Sequence, residues 1–345
     1  MNNKYTMNGG ENCKLNKLYS SINDPMEITN NDRKITKFGG TLKSLETNQF
    51  SKQDINGNLH ICTSNMCAPS KKFTEGSCIS LETLIKMTEA YNTYSKKNKL
   101  DDEIKLSKGK LEMLKPQTYK KYLLREFSKR LNEVCNDQIC WTKQDFVKYM
   151  RDEMAEDLLK KTFKPIGPQG KFTWLNTINI TEVMEQYEEY YKDYIFLGAV
   201  PVDFDDLPSL GIVNLNLDKL SENGKTKLGI IFNLDEHYKS GSHWVGGYCD
   251  INDGKIYYYD SYGTYPDHRI NKFFIRILNY CKKKNPNVVA LYNKRRHQYK
   301  NSECGVYSIS FILNLLKGKS FFDIVGNDYP DDNVNLCRKK YFYIE

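Results

Sequence analysis

Along the first 72 residues hydrophobic side chains are sparse and follow no helix or strand period, while Asn, Lys, Ser and Thr dominate. Such a stretch buries too little apolar surface to offset chain entropy, so residues 1–72 read as a flexible N-terminal arm. The pattern changes at Ser80. Behind this candidate N-cap, Leu81, Leu84, Ile85 and Thr88 share one helical face, and the stripe fades in Ser95-Lys96-Lys97-Asn98. A second helix is expected from about Thr118, after Pro116, with Tyr119, Tyr122, Leu123, Phe127 and Leu131 on one side. A third is expected from about Thr142 to Lys161, carrying Phe146, Val147, Met150, Met154, Leu158 and Leu159. Residues 73–165 thus read as a mostly helical N-terminal domain, closed by the turn-rich Pro165-Ile166-Gly167-Pro168-Gln169-Gly170.

From 166 to 345 the pattern mixes helix and strand, which predicts an α+β domain. Trp174 to Tyr191 reads as helical. Three short runs rich in β-formers follow: Lys227–Asn233, His243–Cys249 and Lys255–Asp260, the last two joined by the hairpin turn Asn252-Asp253-Gly254. Asp267 to Lys283 is amphipathic, with Ile270, Phe273, Phe274, Ile277 and Leu278 inward. Val288–Tyr292 is a further strand, and Cys304–Leu316 a helix striped by Val306, Ile309, Leu313 and Leu316. No internal repeat is visible.

Composition narrows the class. Of 345 residues, 39% are hydrophobic and 27% charged, enough for a sizeable core and against a wholly disordered chain. No run of about 18 apolar residues is present to span a membrane. The N-terminal twenty residues lack an apolar signal region, so an intracellular protein is expected, its ten cysteines reduced. The net charge of +8 is a mild excess, 51 Lys and Arg against 43 Asp and Glu, scattered in short runs. A nucleic-acid module concentrates such charge on one stripe, so a solvated surface is the expectation here.

Reactive side chains collect at element ends. His243 opens one strand of the hairpin and Asp260 closes the other, so antiparallel pairing can bring imidazole and carboxylate together. The carboxylate would hold the ring's tautomer and stabilise its protonated form. Cys304 stands at a helix N-terminus, where roughly half a positive charge favours the nucleophilic thiolate. Gly305 beside it allows close approach of backbone and substrate. Gln298, six residues upstream, can aim an amide N–H at the same place as the Cys304 backbone N–H, forming an oxyanion hole. Each residue alone has an ordinary structural explanation. Together they supply nucleophile, base, orienting group and oxyanion donor.

His243-Trp244, Tyr258-Tyr259-Asp260-Ser261 and Gln298-Tyr-Lys-Asn-Ser-Glu-Cys304-Gly-Val-Tyr resemble the signature of the ubiquitin-like-protein-specific cysteine proteases, sentrin-specific and adenain-like. The intervals of seventeen residues from His243 to Asp260 and six from Gln298 to Cys304 are similar to the family's. Trp174-Leu175-Asn176 resembles the opening of the first helix in that fold, and Asn233 an Asn that precedes the family's His-Trp pair. The match spans roughly 172–320. The phrases running from Leu197 to Asp206 and from Asn233 to His243 further resemble the branch of mimivirus-like large DNA viruses, related to asfarvirus and poxvirus core proteases. Glu303 departs from the common Asp before the cysteine but keeps its charge.

The resemblance implies an adenain/papain-like cysteine protease fold, a central mixed sheet flanked by helices. It implies His243 as base, Asp260 as orienter, Cys304 as nucleophile and Gln298 as oxyanion donor, with Trp244 walling a narrow channel and no metal or organic cofactor. The expected activity is cleavage after small residues, often Gly-Gly, in viral structural or core precursors during virion maturation. Isopeptidase action on host conjugates of ubiquitin-like modifiers is the alternative, and acyl transfer a more remote one. A host cytoplasmic or viral-factory location, packaging in the virion, and DNA as an activator follow as further expectations. Elsewhere, His237 and Glu236 read as loop residues and Cys249 as core. His60, Cys62, Cys67 and Cys78 form a loose Cys/His group, with Cys135 and Cys140 as a further pair. Without two tight knuckles these read as independent thiols rather than a zinc site.

Overall fold

A computed structural model describes residues 64–106 and 115–343. They form two compact units that divide between Pro165 and Ile166. Most of the expected arm, with His60 and Cys62, lies outside the described residues. Its last part, 64–72, is packed: Met66, Cys67 and Ala68 are buried, and Cys67 makes a backbone bridge to Phe163.

In the N-terminal unit, α1 (Leu81–Lys97) starts where the Ser80 hydroxyl accepts the Thr83 N–H at 3.1 Å. α2 (Pro116–Leu131) opens on proline, whose missing N–H would have no helical partner at that position. After the short α3 (Gln138–Trp141), the single helix expected from Thr142 to Lys161 is instead a 3-10 turn at Asp145–Tyr149 and α4 (Asp152–Thr162). Met150 and Arg151 take extended backbone between the last two, with ψ of 155° and 137°. Phe146, Val147 and Met150 are still buried, so their spacing marked the core without revealing the break. Leu84, Met87, Leu123, Phe127 and Trp141 of the same unit are buried too. The Phe127 and Phe146 rings stack at 5.6 Å, and Tyr91 lies edge-on to both.

The expectation of reduced, independent thiols fails in this unit. Cys67 is bonded to Cys78 and Cys135 to Cys140, and Cys337 of the second unit is also disulfide-bonded. Reasoning from cellular compartment cannot see that local turns bring these Cα atoms to 5.2 and 5.5 Å, within disulfide reach. Among the described residues no three His, Cys, Asp or Glu side chains are grouped to hold a metal ion.

In the second unit, α5 (Thr177–Tyr190) begins three residues after Trp174, because Asn176 and Asn179 form a reciprocal capping box. β1 (Tyr194–Pro201), α6 (Leu217–Glu222), β2 (Lys227–Asn233), β3 (Trp244–Asp250) and β4 (Lys255–Tyr259) follow. Then come α7 (His268–Lys282), β5 (Val289–Tyr292), α8 (Cys304–Leu316) and the short α9 (Phe321–Gly326), α10 (Asp331–Leu336) and α11 (Arg338–Tyr341). The five strands form one mixed sheet in sequence order, antiparallel at β2–β3 and β3–β4 and parallel at both edges.

Strand alternation sorts the core. Trp244 and Tyr248 join Tyr257 and Tyr259 on the face that packs α8, through Val306, Ile309, Phe311 and Leu313. Val245 and Cys249 join Ile256 and Tyr258 on the other face, against Ile270, Phe273, Phe274 and Ile277 of α7. Gly246 and Gly247 let both layers close on β3. A Cβ on Gly246 would stand 3.2 Å from Phe311, and one on Gly247 would stand 2.9 Å from both Ile230 and Phe274. Overpacking of this kind costs about 1–3 kcal/mol. The close packing seats the N-terminus of α8 at the end of the sheet where β3 begins and β4 ends.

Candidate active site

Antiparallel pairing of β3 and β4 sets Gly246 opposite Tyr259, so the residues just beyond, His243 and Asp260, emerge at the same end. They meet: His243 Nε2 lies 2.6 Å from Asp260 Oδ1, with both side chains buried. Nδ1 is left free of Asp260, and Cys304 is near enough to the ring to help raise its pKa. Burial disfavours the imidazolium, but the hydrogen bonds and charges of Asp260 and Cys304 outweigh it and hold the ring's pKa up at about 9. At neutral pH the ring therefore carries its proton. An imidazolium is the counter-ion a thiolate nucleophile needs, and the acid a leaving amine needs.

Asp260 is held in turn. Its Oδ1 accepts the Tyr262 N–H at 2.9 Å and its Oδ2 the Thr264 N–H at 3.3 Å, while the Gly263 N–H donates to its carbonyl at 2.8 Å. Gly263 adopts φ 75° there, and a Cβ would meet the Lys294 carbonyl at 2.7 Å, so this turn requires glycine. Gln298 is fully buried. The Ser261 hydroxyl donates to its Oε1 at 2.6 Å and its own Nε2 donates to the Lys300 carbonyl at 2.7 Å, which fixes the amide's orientation. Cys304 is 3% exposed, the first residue of α8, and Gly305 packs on Leu175, where a Cβ would come within 3.1 Å.

A profile described as the Ulp1 protease family, C-terminal catalytic domain, matches residues 225–343. A thiol protease of Acanthamoeba polyphaga mimivirus is 38% identical over 281 residues, which cover 81% of this chain and 93% of that protein. The chain belongs to the Ulp1-like family of cysteine proteases. A cysteine protease of African swine fever virus is 24% identical over 228 residues, 61% of this chain and 84% of that protein. The crystal structure of the African swine fever virus protease has the same fold, with a TM-score of 0.56 at 20% identity, covering 83% of this chain and 98% of that one.

In this Ulp1-like protease the other anticipated residues support the site from a distance. The Trp244 Nε1–H donates to the Leu175 carbonyl at 2.8 Å, and the Ser308 hydroxyl bridges the carbonyls of Trp244 and Cys304. Asn233 shapes the loop that delivers His243. Its Oδ1 accepts the Asp235 and Ser242 N–H groups, and the Leu234 N–H donates to the His243 carbonyl at 2.9 Å. Glu303 is buried and accepts from the Ser302 N–H and hydroxyl. His237, read as a loop residue, lies in the loop between β2 and β3 and bonds Asp203 at 2.6 Å.

Three residues of the protease escaped the sequence reading. Asn293, just past β5, is buried and clamps the Asp260 peptide. Tyr262 stacks on the His243 ring with centroids 4.3 Å apart and planes 7° off parallel. His297 is buried between the Tyr259 hydroxyl, 2.7 Å from Nδ1, and the Val325 carbonyl, 3.2 Å from Nε2. Burial pushes its pKa down to about 4, so the ring is neutral. A buried carboxylate and its peptide need donors, and that need was the available signal for Asn293.

Proposed function

We propose that this cysteine protease is an endopeptidase that cuts after small residues, Gly-Gly-X above all, in viral structural or core precursors during virion maturation. Cys304 attacks the scissile carbonyl. The Gln298 Nε2–H not engaged by Lys300 and the Cys304 backbone N–H receive the oxyanion. His243 delivers the proton to the leaving amine and then activates water against the acyl-enzyme, while Asp260 keeps Nδ1 aimed at the sulfur. The observation that carries the reading is the ring geometry: Nε2 is committed to Asp260 and Nδ1 is left for a cysteine at a helix N-terminus. The near-complete burial of Cys304 beside buried Trp244 favours substrates with no side chain at the scissile residue.

Removal of ubiquitin-like modifiers is the second reading, favoured by the name SUMO-1 cysteine protease carried by three African swine fever virus relatives. DNA as an activator is the weaker part of the proposal, since Arg295 and Lys300 near the site pair with Asp328 and Asp332. A location in the infected cell or in the particle belongs to the proposal as well. Peptide-library cleavage by the full-length protein, run beside labelling with a SUMO vinyl-sulfone, separates the two substrate readings. Selective cutting after Gly-Gly with little labelling supports the endopeptidase. Efficient labelling with no peptide cleavage replaces it with the isopeptidase.

A further inference from the structure

The segment between β5 and α8 carries four cations, and two of them are neutralised. Arg295 pairs with Asp328, and Lys300 with Asp332 at 2.6 Å. Lys294 lies over the Tyr292 ring at 5.7 Å. Arg296 differs in its place. Its guanidinium stands 5.0 Å from the Tyr262 ring centre and 5.1 Å from that of Tyr299, while Nε donates to the Gln298 carbonyl at 2.8 Å. Tyr262 in turn stacks on His243 at 4.3 Å. The order is therefore imidazole, phenol, guanidinium, phenol, in a stack running outward from the base to Tyr299, which is 70% exposed.

Arg296 has no carboxylate partner among the described residues. Asp331, which holds the backbone of Tyr299, is buried and already engaged. Its Oδ2 accepts the Tyr299 and Lys300 N–H groups and its Oδ1 the Tyr307 hydroxyl. A cation presented by two aromatic faces and unpaired at the rim of a site is poised to receive an anion from outside.

We infer that Arg296 is a specificity-determining residue that binds an Asp or Glu side chain of the substrate on the leaving-group side of the scissile bond. The inference rests on the roles proposed above for Cys304 and His243. The leaving amine takes its proton from His243, so the chain beyond the bond departs past the imidazole, where Tyr262 and Arg296 stand. Two stacking intervals, 4.3 and 5.0 Å, are a short reach. An extended chain advances roughly 3.3 Å per residue, which places the acidic side chain about one to three residues after the cut.

The test uses the full-length chain and amide-capped Gly-Gly-X peptides that differ only in Glu, Gln or Lys at the first three positions after the cut. Binding is read by fluorescence anisotropy on the Cys304→Ala protein, and kcat/KM on the protein with its cysteine. The expectation is an approximately fivefold preference for Glu over Gln at one of these positions, weakened by salt. Arg296→Ala should erase the preference, Arg296→Glu should turn it toward Lys, and Arg296→Lys should keep part of it. Equal binding of Glu and Gln peptides, or the same ratio with and without Arg296, overturns the inference. So does a uniform loss on all peptides, which would mean a structural role. Cleavage that survives Cys304→Ala would instead overturn the active-site assignment, and the binding ratio would still give its own answer.

Discussion

Asn293 grips the peptide of Asp260 from both sides: its Oδ1 accepts the Asp260 N–H at 2.8 Å and its Nδ2 donates to the Asp260 carbonyl at 2.6 Å. The carboxylate bonded to His243 is thus held through its own peptide by a residue just past β5. Asn293→Ala leaves the buried Asp260 N–H without its partner and its carbonyl with the Gly263 N–H alone, which costs about 1–3 kcal/mol of stability. It also frees Asp260 to shift, and small misplacements cost roughly tenfold to a hundredfold in rate. Denaturant unfolding should show the first effect and kcat/KM the second. A variant with wild-type kcat/KM would show that the clamp does not position the carboxylate.

Asp260→Asn should change the pH profile as well as the rate. The carboxylate helps hold the His243 pKa at about 9, so the ring of the variant should lose its proton at lower pH. The alkaline limb of kcat/KM, placed near pH 9 in the parent by general-acid loss, should move toward neutrality, with a rate loss of roughly 10²–10⁴ at pH 7. An alkaline limb that stays put in the variant would remove Asp260 from the role of orienter.

His297 should make the fold acid-sensitive. Its folded pKa of about 4 lies below its unfolded value near 6.5, so the unfolded chain takes up the proton first as pH falls. The resulting loss is absent above about pH 6.5, grows as pH drops, and levels off below about 4 at an order of 3 kcal/mol. His243 adds no slope there. Its raised pKa gives stability that is complete below about 6.5 and lost as pH rises through about 9. Urea unfolding at pH 7 and pH 5 should show a smaller drop for His297→Gln than for the parent.

Gln298→Ala removes a donor whose carbonyl end is fixed by Ser261. Loss of one oxyanion donor costs roughly 10²–10³ in kcat, with KM little changed. A change confined to KM would place Gln298 in substrate binding instead.

Much of the site was legible because its chemistry sits at element ends. The strand run ending at Asp260 and the helix starting at Cys304 were readable from β-formers, the Asn252-Asp253-Gly254 turn and an apolar stripe. Hairpin pairing then did the rest for His243 and Asp260. Asn293, Tyr262 and His297 were not legible, because their roles are hydrogen bonds and ring contacts across 30 or more residues, or to a turn whose course no period reveals. β1 was missed because its mixed burial, interrupted by Gly198 at φ 121°, lacks strict alternation. The helix expected through Met150 failed since a 3-10 turn and a helix can bury the same residues at similar spacing. The disulfides depend on distance in space, to which spacing in sequence is a poor guide.

The central claim is that one thiol of this chain does the chemistry. Cys249 and Cys281 are free but buried, and burial pushes both thiols up, away from reactivity. The direct measurement is kcat/KM on a Gly-Gly-X peptide for the full-length protein and for Cys304→Ala, with folding of both checked by circular dichroism. The expected result is a loss of several orders of magnitude in a variant that remains folded. Cleavage by the alanine variant at the parent's rate would contradict the account.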